Sequence, residues 1–449
     1  MARQLSLTRG RERRPVPTGG GILVTQVELS TGVGDIAVPG SDSRVYSAVR
    51  LLVRLHGQPL GFATLPLAHG RLGASQVAEL VWEHLHAAVN AHLIDDALEP
   101  ATCIPLAGLR AVQPQCCRRR AAGAPDGPLV TVVVCTRDRP RSLARCLRAL
   151  AQVTYASFEV VVVDNAPSTR ETLAVVQELS GVDPRVRYVR ERLPGLSRAR
   201  NRGLREARGE LVAFTDDDVV VDAGWLDGMV QGFVRSPSVA CVTGLVPSAH
   251  LDNAEQRYFD QRVSWAVSCT PRRYDLVAGV EESPLYPYTA GEFGTGANFA
   301  FRTATLRDLG GFDEALGAGA PAGGGEDLDV FVRTILAGHT IAYEPAAIVW
   351  HEHRLELRQL RRQLFNYGVG LAAFATKYLS NPHTAGDVLV RLPGGLRRLQ
   401  DIARRAGRPA ELPRSILASE LLGLAWGPIA YGLGRRRRSS PPAHWARIT

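Results

Sequence analysis

Residues 186–218 read VRYVRERLPGLSRARNRGLREARGELVAFTDDD, and this stretch decides the fold. The apolar runs VRYVR (186–190) and ELVAFT (210–215) are typical of buried strands, and the segment from about Leu196 to Arg208 between them has helical spacing. A strand, a helix and a second strand in this order are the repeating unit of a parallel sheet. The stretch ends in adjacent carboxylates at Asp216, Asp217 and Asp218.

The alternation of strands and helices continues upstream of this stretch. Two further strands and two further helices are predicted: LVTVVVCT (129–136), Arg141–Gln152, FEVVVVD (158–164) and Ser168–Ser180. This order indicates a doubly wound α/β domain, in which helices cover both faces of a mostly parallel sheet. Ligands of such sheets bind beyond the carboxyl ends of the strands, so Thr136, Asp164 and Asp216 are candidate site positions.

Composition places the chain among soluble globular proteins. Its 449 residues suffice for about two or three domains, and 45% of them are hydrophobic. The net charge of +9 is concentrated at the two ends, at Arg3–Arg14 and Arg435–Arg438, which are solvated tails or contacts with an anionic surface. Seven irregularly spaced cysteines without paired Cys-x-x-Cys units indicate reduced thiols, and the N-terminus lacks the apolar core of a secretory signal. We expect a cytoplasmic protein.

Five regions are predicted along the chain. They are a basic flexible arm (1–20), a small α+β domain (21–112), a linker rich in Arg, Ala, Gly and Pro (113–128), the α/β domain (129–378) and a helical C-terminal region (379–449). In the small domain no group of catalytic or metal-binding residues is evident from the sequence. Its histidines His84, His86 and His92 are expected to be ordinary residues of a helix surface.

The C-terminal region contains one long apolar segment, SILASELLGLAWGPIAYGLG (415–434). Its length matches a bilayer span, but Glu420 and Pro428 interrupt it. We therefore expect a buried or surface-lying helix rather than a full span. The arginines that follow favour peripheral attachment to the cytoplasmic face of a membrane.

The acidic triplet predicts a metal site. Adjacent carboxylates repel one another unless a cation shares their charge, and in extended geometry Asp216 and Asp218 project to one side and Asp217 to the other. Hard oxygen ligands suit Mg²⁺ or Mn²⁺; a solvated acidic turn is the alternative. Asp164 is placed to accept hydrogen bonds from a ribose or a base, or to cap a helix or a turn. CTRDRPRS after the first strand has no Gly-x-Gly-x-x-Gly loop, and no Gly-Lys-Ser/Thr P-loop occurs, which disfavours hydride transfer and ATP hydrolysis.

Seven segments, taken in order, carry a resemblance to a known family. They are CTRDRP (135–140), VVVDNA (161–166), GLSRARNRG (195–203), LVAFTDDD (211–218), GTGANFAFR (294–302), GGGEDLDVFVR (323–333) and IVWHEH (348–353). In this order they resemble family 2 glycosyltransferases of the GT-A fold, over about Leu129 to Tyr378. The resemblance implies an inverting, metal-dependent transfer of a sugar from a nucleotide-sugar donor to an acceptor hydroxyl.

The resemblance also implies roles for individual residues. Asp216, Asp217 and Asp218 fall on the motif that binds Mn²⁺ or Mg²⁺ and the ribose and diphosphate of the donor. The positions that hold the nucleoside fall on Thr136, Arg137 and Asp164. Arg200 and Asn201 fall in the element that approaches the nucleotide beside the metal. An acceptor hydroxyl must lose its proton as it attacks, and the family's general base falls on Asp327, with Glu326 supporting or orienting it. An acidic helix N-terminus fits the same pair.

Several further expectations attach to the same resemblance. His351 is the candidate for the remaining metal ligand, with His353 as its competitor. The run GAGAPAGGG (317–325) is expected to be a mobile loop that closes over the donor. Phe299 and Trp350 pack on a sugar face or belong to the core, and for Phe299 we favour the core.

The resemblance implies a class of reaction but leaves several classes of acceptor open. The expected donor is a UDP-sugar, and the acceptor a glycan, a lipid-linked sugar or a small molecule, in glycan, polysaccharide, cell-envelope or glycosylated small-molecule biosynthesis. Two alternatives remain at this point. A sugar-1-phosphate nucleotidyltransferase would need a glycine-rich phosphate loop after the first strand, and a nucleic-acid-binding protein would need aromatic residues among its arginines. We expect no nucleic-acid partner.

Overall fold

The computed structural model describes most of the chain. It covers residues 20–38, 46–111, 114, 116–117, 127–263, 268–277, 283–289, 291–353, 356–405 and 415–437. Nearly all of the basic arm, most of the linker and Arg438 lie outside the described residues.

The N-terminal unit is a small sheet covered by one helix. Its elements are β1 (Gly21–Glu28), β2 (Ile36–Ala37), β3 (Tyr46–Leu55), β4 (Gln58–Pro66), β5 (Arg71–Leu72) and α1 (Ala74–Asp95). The sheet has the order β1-β3-β4, with β1 parallel to β3, and β3 and β4 forming an antiparallel hairpin. Alternate residues of β3 and the buried residues of α1 form one apolar core.

The histidines of α1 differ from one another. His84 and His86 are exposed, and their Nδ1 atoms lie 2.7 Å and 3.2 Å from carbonyl oxygens one turn back in the helix. The expectation of a helix-surface residue is wrong for His92. Its ring lies largely buried against His56 and Asp96, because α1 ends beneath the turn of the β3–β4 hairpin.

The second unit is built on a nine-stranded sheet. Its strands are β6 (Val130–Thr136), β7 (Phe158–Asn165), β8 (Val186–Glu191), β9 (Leu211–Asp216), β10 (Val219–Val221), β11 (Val239–Leu245), β12 (Arg272–Tyr274), β13 (Asn298–Arg302) and β14 (Thr340–His351). The order is β10-β14-β11-β13-β9-β6-β7-β8, and β12 pairs with β14. The ladder pairings give β6, β7, β8, β9, β11 and β14 one common direction, while β10, β12 and β13 run against it.

Helices lie on both faces of this sheet. They are α2 (Pro140–Leu150), α3 (Glu171–Ser180), α4 (Leu196–Glu206), α5 (Trp225–Val234), α6 (Ala254–Arg262), α7 (Thr303–Asp308) and α8 (Glu326–Leu336). Val132 and Val160 belong to the core under α2 and α5, whereas Val133 and Val161 belong to the core under α4 and α8. The side chains on both faces of these strands are apolar because helices cover both faces of the sheet. The predicted α/β class with a mostly parallel, doubly wound sheet is confirmed.

Three helices complete the described chain: α9 (Leu357–Leu379), α10 (Pro382–Arg405) and α11 (Ser415–Arg436). α11 packs closely along α9 through glycines. A Cβ on Gly368 would lie 2.3 Å from the carbonyl oxygen of Glu420, and one on Gly423 would lie 2.2 Å from that of Phe365. The predicted helical C-terminal region is therefore observed. One face of α11 is packed against α9.

The N-terminal unit rests on the large sheet. Leu52 of β3 packs on Leu245 and Ile348, and Ile22 donates a backbone hydrogen bond to Leu251. Arg50 and Arg54 of β3 form ion pairs with Asp260 and Asp222 across the same interface.

Candidate functional site

The acidic triplet lies at the carboxyl end of the parallel strands. Cys135 of β6 pairs with Asp216 of β9, and Thr136 pairs with Asp164 of β7. The residues predicted from strand ends therefore lie beside one another at one edge of the sheet, as the topology of a doubly wound fold requires.

Two carboxylates of the triplet face a histidine. Ligand atoms of Asp216, Asp218 and His351 all lie within 4.8 Å of one another, and His351 Nε2 is 3.6 Å from Asp218 Oδ1. Asp217 has a separate partner, because Thr136 Oγ1 donates to its Oδ2 over 2.6 Å. The alternation of side chains predicted for Asp216 and Asp218 on one side is observed. His351 rather than His353 faces the carboxylates.

An arginine that the sequence analysis did not single out bridges the triplet. Arg139 Nη1 lies 2.9 Å from an oxygen of Asp217 and 2.9 Å from an oxygen of Asp218. The predicted Arg137 has a largely exposed side chain, whose ion pair with neighbouring Asp138 is long, at 3.9 Å. The positive φ of 54° at Asp138 turns the chain between the two arginines. The position of Arg139, immediately before the helix-starting Pro140, is the signal that could have found it.

The electrostatics of the triplet favour a cation. Burial in the cleft and the charges of Asp218 and Asp217, opposed by Arg200, raise the pKa of Asp216 to about 7. Burial and the charge of Asp218 also raise the pKa of Asp217. Two carboxylates and one imidazole within reach of one another are a donor set that fits Mn²⁺ or Mg²⁺.

Arg200 connects the two acidic parts of the site. Its guanidinium is buried and lies over the rings of both Phe299 and Phe312. Nη1 donates to Glu326 Oε1 over 2.8 Å, and Nη2 lies 3.6 Å from Asp216 Oδ1. Asn201, the next residue, instead binds the backbone of Phe312 through both its amide nitrogen and its amide oxygen.

The pair at the start of α8 divides into a buried and an accessible acid. Glu326 is buried against Arg200, and burial together with the charge of Asp327 raises its pKa. Asp327 is only half-buried, and its Oδ2 accepts the Gly296 N–H over 2.8 Å. A Cβ on Gly296 would lie 2.9 Å from Arg200 Nη2 and 3.1 Å from Asp327 Oδ2, so glycine permits this approach.

Asp164 is a buried carboxylate with spare hydrogen-bonding capacity. The Tyr188 hydroxyl donates to its Oδ2 over 2.9 Å, while its Oδ1 has no hydrogen-bond partner among the described residues. Burial raises the pKa of Asp164, although the bond from Tyr188 opposes this shift. A ligand hydroxyl or base N–H satisfies such an oxygen.

The aromatic candidates lie away from the cleft surface. Phe299 is fully buried and stacks on Phe214 with ring centroids 5.0 Å apart, so the expectation of a core residue is confirmed. Trp350 packs in the apolar cluster of Leu52, Leu245 and Ile348 at the interface with the N-terminal unit.

The glycine-rich run 317–325 is folded against its neighbours. Leu196 N–H donates to the Ala318 carbonyl over 2.7 Å, and Gly317 N–H donates to that of Gly324 over 3.1 Å. Gly325 adopts a φ of 88° immediately before α8. These contacts hold the start of α8 beside α4, so the run acts as a support for the acidic pair in this structure.

Known proteins share sequence similarity with much of the chain. A family model described as glycosyltransferase like family 2 matches residues 125–367. The pre-mycofactocin glycosyltransferase of Mycobacterium tuberculosis is 30% identical over 260 residues, which are 57% of this chain and 50% of that protein. The succinoglycan biosynthesis protein ExoM of Rhizobium meliloti is 32% identical over 283 residues, or 61% of this chain and 79% of that protein. The chain thus spans half the length of the first of these relatives.

A solved mannosyltransferase from Pyrobaculum calidifontis, in complex with GDP-Man and Mn²⁺, is 19% identical with a TM-score of 0.43. The match covers 70% of this chain and 88% of the mannosyltransferase.

Proposed function

The chain belongs to glycosyltransferase family 2, and from that premise we propose that it transfers a sugar from a nucleoside diphosphate sugar to an acceptor hydroxyl, with inversion at the anomeric carbon. The observation that carries the proposal is the grouping of Asp216, Asp218 and His351 at the carboxyl end of the sheet. Arg200 links it to the acidic pair Glu326 and Asp327. Membership of this family argues against both alternatives, the nucleotidyltransferase and the nucleic-acid-binding protein.

Each part of the site receives one task in this proposal. Asp216, Asp218 and His351 would hold Mn²⁺ or Mg²⁺, which would supply positive charge to the diphosphate leaving group. Thr136 and Arg139 hold Asp217 and Asp218 in place, and the buried Asp164 oxygen accepts a hydrogen bond from the nucleoside. UDP is our expected nucleoside diphosphate.

Asp327 is proposed as the general base. Its carboxylate is half-buried and accepts the Gly296 N–H, which supports a fixed orientation of the base. Glu326 is bound to Arg200 and therefore orients the arginine rather than the acceptor. Deprotonation by a positioned carboxylate is the step that an acceptor hydroxyl requires during a single inverting displacement.

A donor screen tests the proposed function. The full chain is mixed with Mn²⁺ and a panel of UDP- and GDP-sugars, and both thermal stabilisation and release of nucleoside diphosphate are measured. We expect stabilisation by a subset of donors that chelation of the metal abolishes, since ligand binding to the native state raises its stability. Consumption of nucleoside triphosphate with pyrophosphate release, or strongly salt-dependent DNA binding without any donor binding, would contradict the proposal.

The exposed face of α11 supports a second part of the proposal, peripheral contact with an anionic membrane. Ile416–Arg436 is long and apolar enough to cross a membrane by length and composition alone. However, Glu420 is paired with Arg262, and the glycine face of α11 is packed on α9. We therefore propose that α11 lies on the membrane surface and does not span the bilayer.

The opposite face of α11 has the composition of an interfacial helix. Its exposed apolar residues form a stripe: Leu417, Leu421, Leu422, Trp426, Ile429 and Leu433. Exposed arginines follow at Arg435, Arg436 and Arg437. Each basic residue near an anionic surface contributes about 1 kcal/mol to binding, so the charge complements an acidic lipid headgroup.

Vesicle co-sedimentation tests this contact. We expect the full chain to bind vesicles rich in phosphatidylglycerol and not vesicles of phosphatidylcholine alone. Replacing Leu421, Leu422 and Trp426 by Ser should abolish binding, while the matched change Val182→Ser, at an exposed apolar residue elsewhere, should leave it intact. Equal binding of the triple variant would exclude the role of α11.

A further inference from the structure

The N-terminal unit contains a cluster of metal-ligating side chains far in sequence from the acidic triplet. Ligand atoms of His56, His92, Asp96 and Cys116 all lie within 4.8 Å of one another. They come from the turn of the β3–β4 hairpin, the last turn and C-cap of α1, and the short helical turn at residues 116–117. Three separate segments thus converge on one point.

The spacing of these atoms is close to that of a tetrahedral zinc site. Asp96 Oδ2 lies 3.0 Å from His56 Nδ1, 3.2 Å from His92 Nε2 and 3.0 Å from Cys116 Sγ. The two ring nitrogens are 3.2 Å apart, and His92 Nε2 is 3.9 Å from Cys116 Sγ. Atoms about 2.0–2.3 Å from a tetrahedral ion are separated by about 3.3–3.8 Å, so small adjustments suffice to place zinc between them.

The backbone places His56 in the cluster at a conformational cost. His56 and Gly57 form the two-residue turn of the hairpin, with φ values of 53° and 76°. A turn with positive φ at both positions favours Asn, Asp or Gly, and a larger side chain there is strained. Glu28 holds the turn, because its two carboxylate oxygens accept the N–H groups of His56 and Gly57 over 2.9 Å each. The strained turn directs the imidazole onto the end of α1.

Asp96 is fixed by a second contact outside the cluster. Its Oδ1 accepts the backbone N–H of Cys116 over 2.7 Å, which leaves Oδ2 facing both histidines and the thiol. Burial raises the pKa of Asp96, but its hydrogen bonds with Cys116, the charge of His92 and its hydrogen bond with His56 together lower that pKa below its usual value.

Burial and ligand type distinguish this cluster from the acidic triplet. His56 and Asp96 are 6% and 5% exposed, and the side chain of His92 is 12% exposed. A thiolate with two imidazoles selects zinc over Mg²⁺ or Mn²⁺, whereas carboxylate-rich sites prefer the harder ions. Four protein ligands leave no open position, which is the mark of a structural site.

We propose that His56, His92, Asp96 and Cys116 bind one structural Zn²⁺ that fastens the residues leading into the glycosyltransferase domain to the N-terminal unit. Cys116 is the only one of the four that lies in the predicted linker 113–128. Zinc therefore closes a contact between the end of α1 and the segment that continues to β6. Because such a site forms only in the folded chain, zinc binding stabilises that fold.

Cobalt substitution tests the proposal in the full chain. The reduced protein is stripped with a chelator and titrated with Co²⁺, and the thiolate-to-cobalt charge-transfer band and the tetrahedral d–d bands are recorded. We expect one equivalent of thiolate-bound Co²⁺, displaced by one equivalent of Zn²⁺. The band should persist in Asp218→Ala, because the acidic triplet contains no thiol.

The adjacent cysteine provides a matched control. Cys117 Sγ lies 3.9 Å from the His56 carbonyl oxygen and is not one of the four ligands. Cys116→Ser should abolish the charge-transfer band and weaken zinc binding at least about tenfold, as loss of a ligand group requires. Cys117→Ser should retain both the band and the affinity.

Several results would overturn the proposal. They are the absence of a thiolate–cobalt band in the reduced parent protein, persistence of the band in Cys116→Ser, and its loss in Cys117→Ser alone. The cobalt titration of the parent protein tests the zinc site even if Cys116→Ser does not fold. A hydrogen-bonded cluster centred on Asp96 without metal would show no band and no change in melting temperature when zinc is removed.

Discussion

At the scale of single residues, Asp218 contacts both an arginine and the candidate metal-binding histidine. It binds Arg139 on one side and faces His351 on the other, at 2.9 Å and 3.6 Å. Arg139 is shared with Asp217, so one positive charge is divided between two carboxylates. Asp216 has Arg200 only at 3.6 Å, which leaves net negative charge in the cleft for a divalent cation.

Removing Asp218 tests the metal assignment. We expect Asp218→Ala to abolish metal-dependent donor binding and to lower turnover by about a hundredfold or more, because a metal ligand is lost and the cation contributes several kcal/mol to stabilising the leaving group. Donor binding is measured calorimetrically with and without Mn²⁺. Asp227→Ala, at an acid in the first turn of α5, is the control and should behave as the parent. Unchanged activity of Asp218→Ala would place the metal elsewhere.

The general base is tested by a change that keeps shape and removes the basic oxygen. Asp327→Asn should retain donor affinity and lose about 10²–10⁴-fold in transfer rate, since only deprotonation of the acceptor is affected. Donor affinity and the rate of transfer are measured separately. The exposed Asp308→Asn serves as the control. Transfer at the parent rate by Asp327→Asn would assign the base to another group.

Site residues that follow strands were predictable from the sequence, whereas site residues that depend on tertiary contacts were not. Asp164 and Asp216 were predictable because parallel strands end at a common edge. Arg139 was missed because a turn of positive φ at Asp138 decides which arginine reaches the triplet. His56 and Cys116 were missed because no local spacing connects them with His92 across the hairpin and α1.

At the scale of elements, strand and helix order followed from periodicity, while the antiparallel strands did not. β10, β12 and β13 have only three to five residues each, which is too short for a periodic pattern to mark them as strands. Their direction is fixed only by pairing with β14, β11 and β9, contacts that no local pattern predicts. The packing of α11 on α9 was likewise hidden, because isolated glycines in a helix also occur in bilayer-spanning segments.

Two glycines of α11 provide opposite tests of this packing. A Cβ at Gly423 would lie 2.2 Å from the Phe365 carbonyl oxygen, whereas a Cβ at Gly432 meets nothing within 4 Å. Gly423→Ala should therefore destabilise the protein by about 1–3 kcal/mol through overpacking. Gly432→Ala should stabilise it by about 0.5–1 kcal/mol through better helix propensity. Chemical denaturation measures both, and the same sign for the two variants would contradict close packing of α9 and α11.

At the scale of the whole molecule, the N-terminal unit reaches the candidate metal site through a chain of side chains. His351 Nδ1 lies 3.1 Å from His353 Nδ1, and His353 Nε2 lies 2.6 Å from Ser248 Oγ. Ser248 donates to Asp260 over 2.5 Å, and Asp260 is paired with Arg50 of the N-terminal sheet. Partners of this kind orient a metal-binding histidine and tune its affinity for the metal. The small α+β domain was predictable from its strands and helix, but this connection was not, because Arg50 and Asp260 are distant in sequence.

Arg50 is therefore expected to be a positioning residue for His351. Arg50→Met leaves the buried Asp260 without its arginine, so the side-chain contacts that connect Asp260 with His353 and His351 become less fixed. The Mn²⁺ concentration for half-maximal activity should therefore rise about tenfold or more. At saturating Mn²⁺ the turnover number should approach that of the parent, because the ligands themselves are intact. Arg50→Lys should restore most of the Mn²⁺ affinity by returning a positive charge to Asp260. Arg54→Met is the matched control, since it breaks the ion pair with Asp222 at the same interface without touching this chain. If both methionine variants lower the melting temperature equally and neither changes the Mn²⁺ dependence, Arg50 only holds the two units together, and the N-terminal unit does not position the metal ligand.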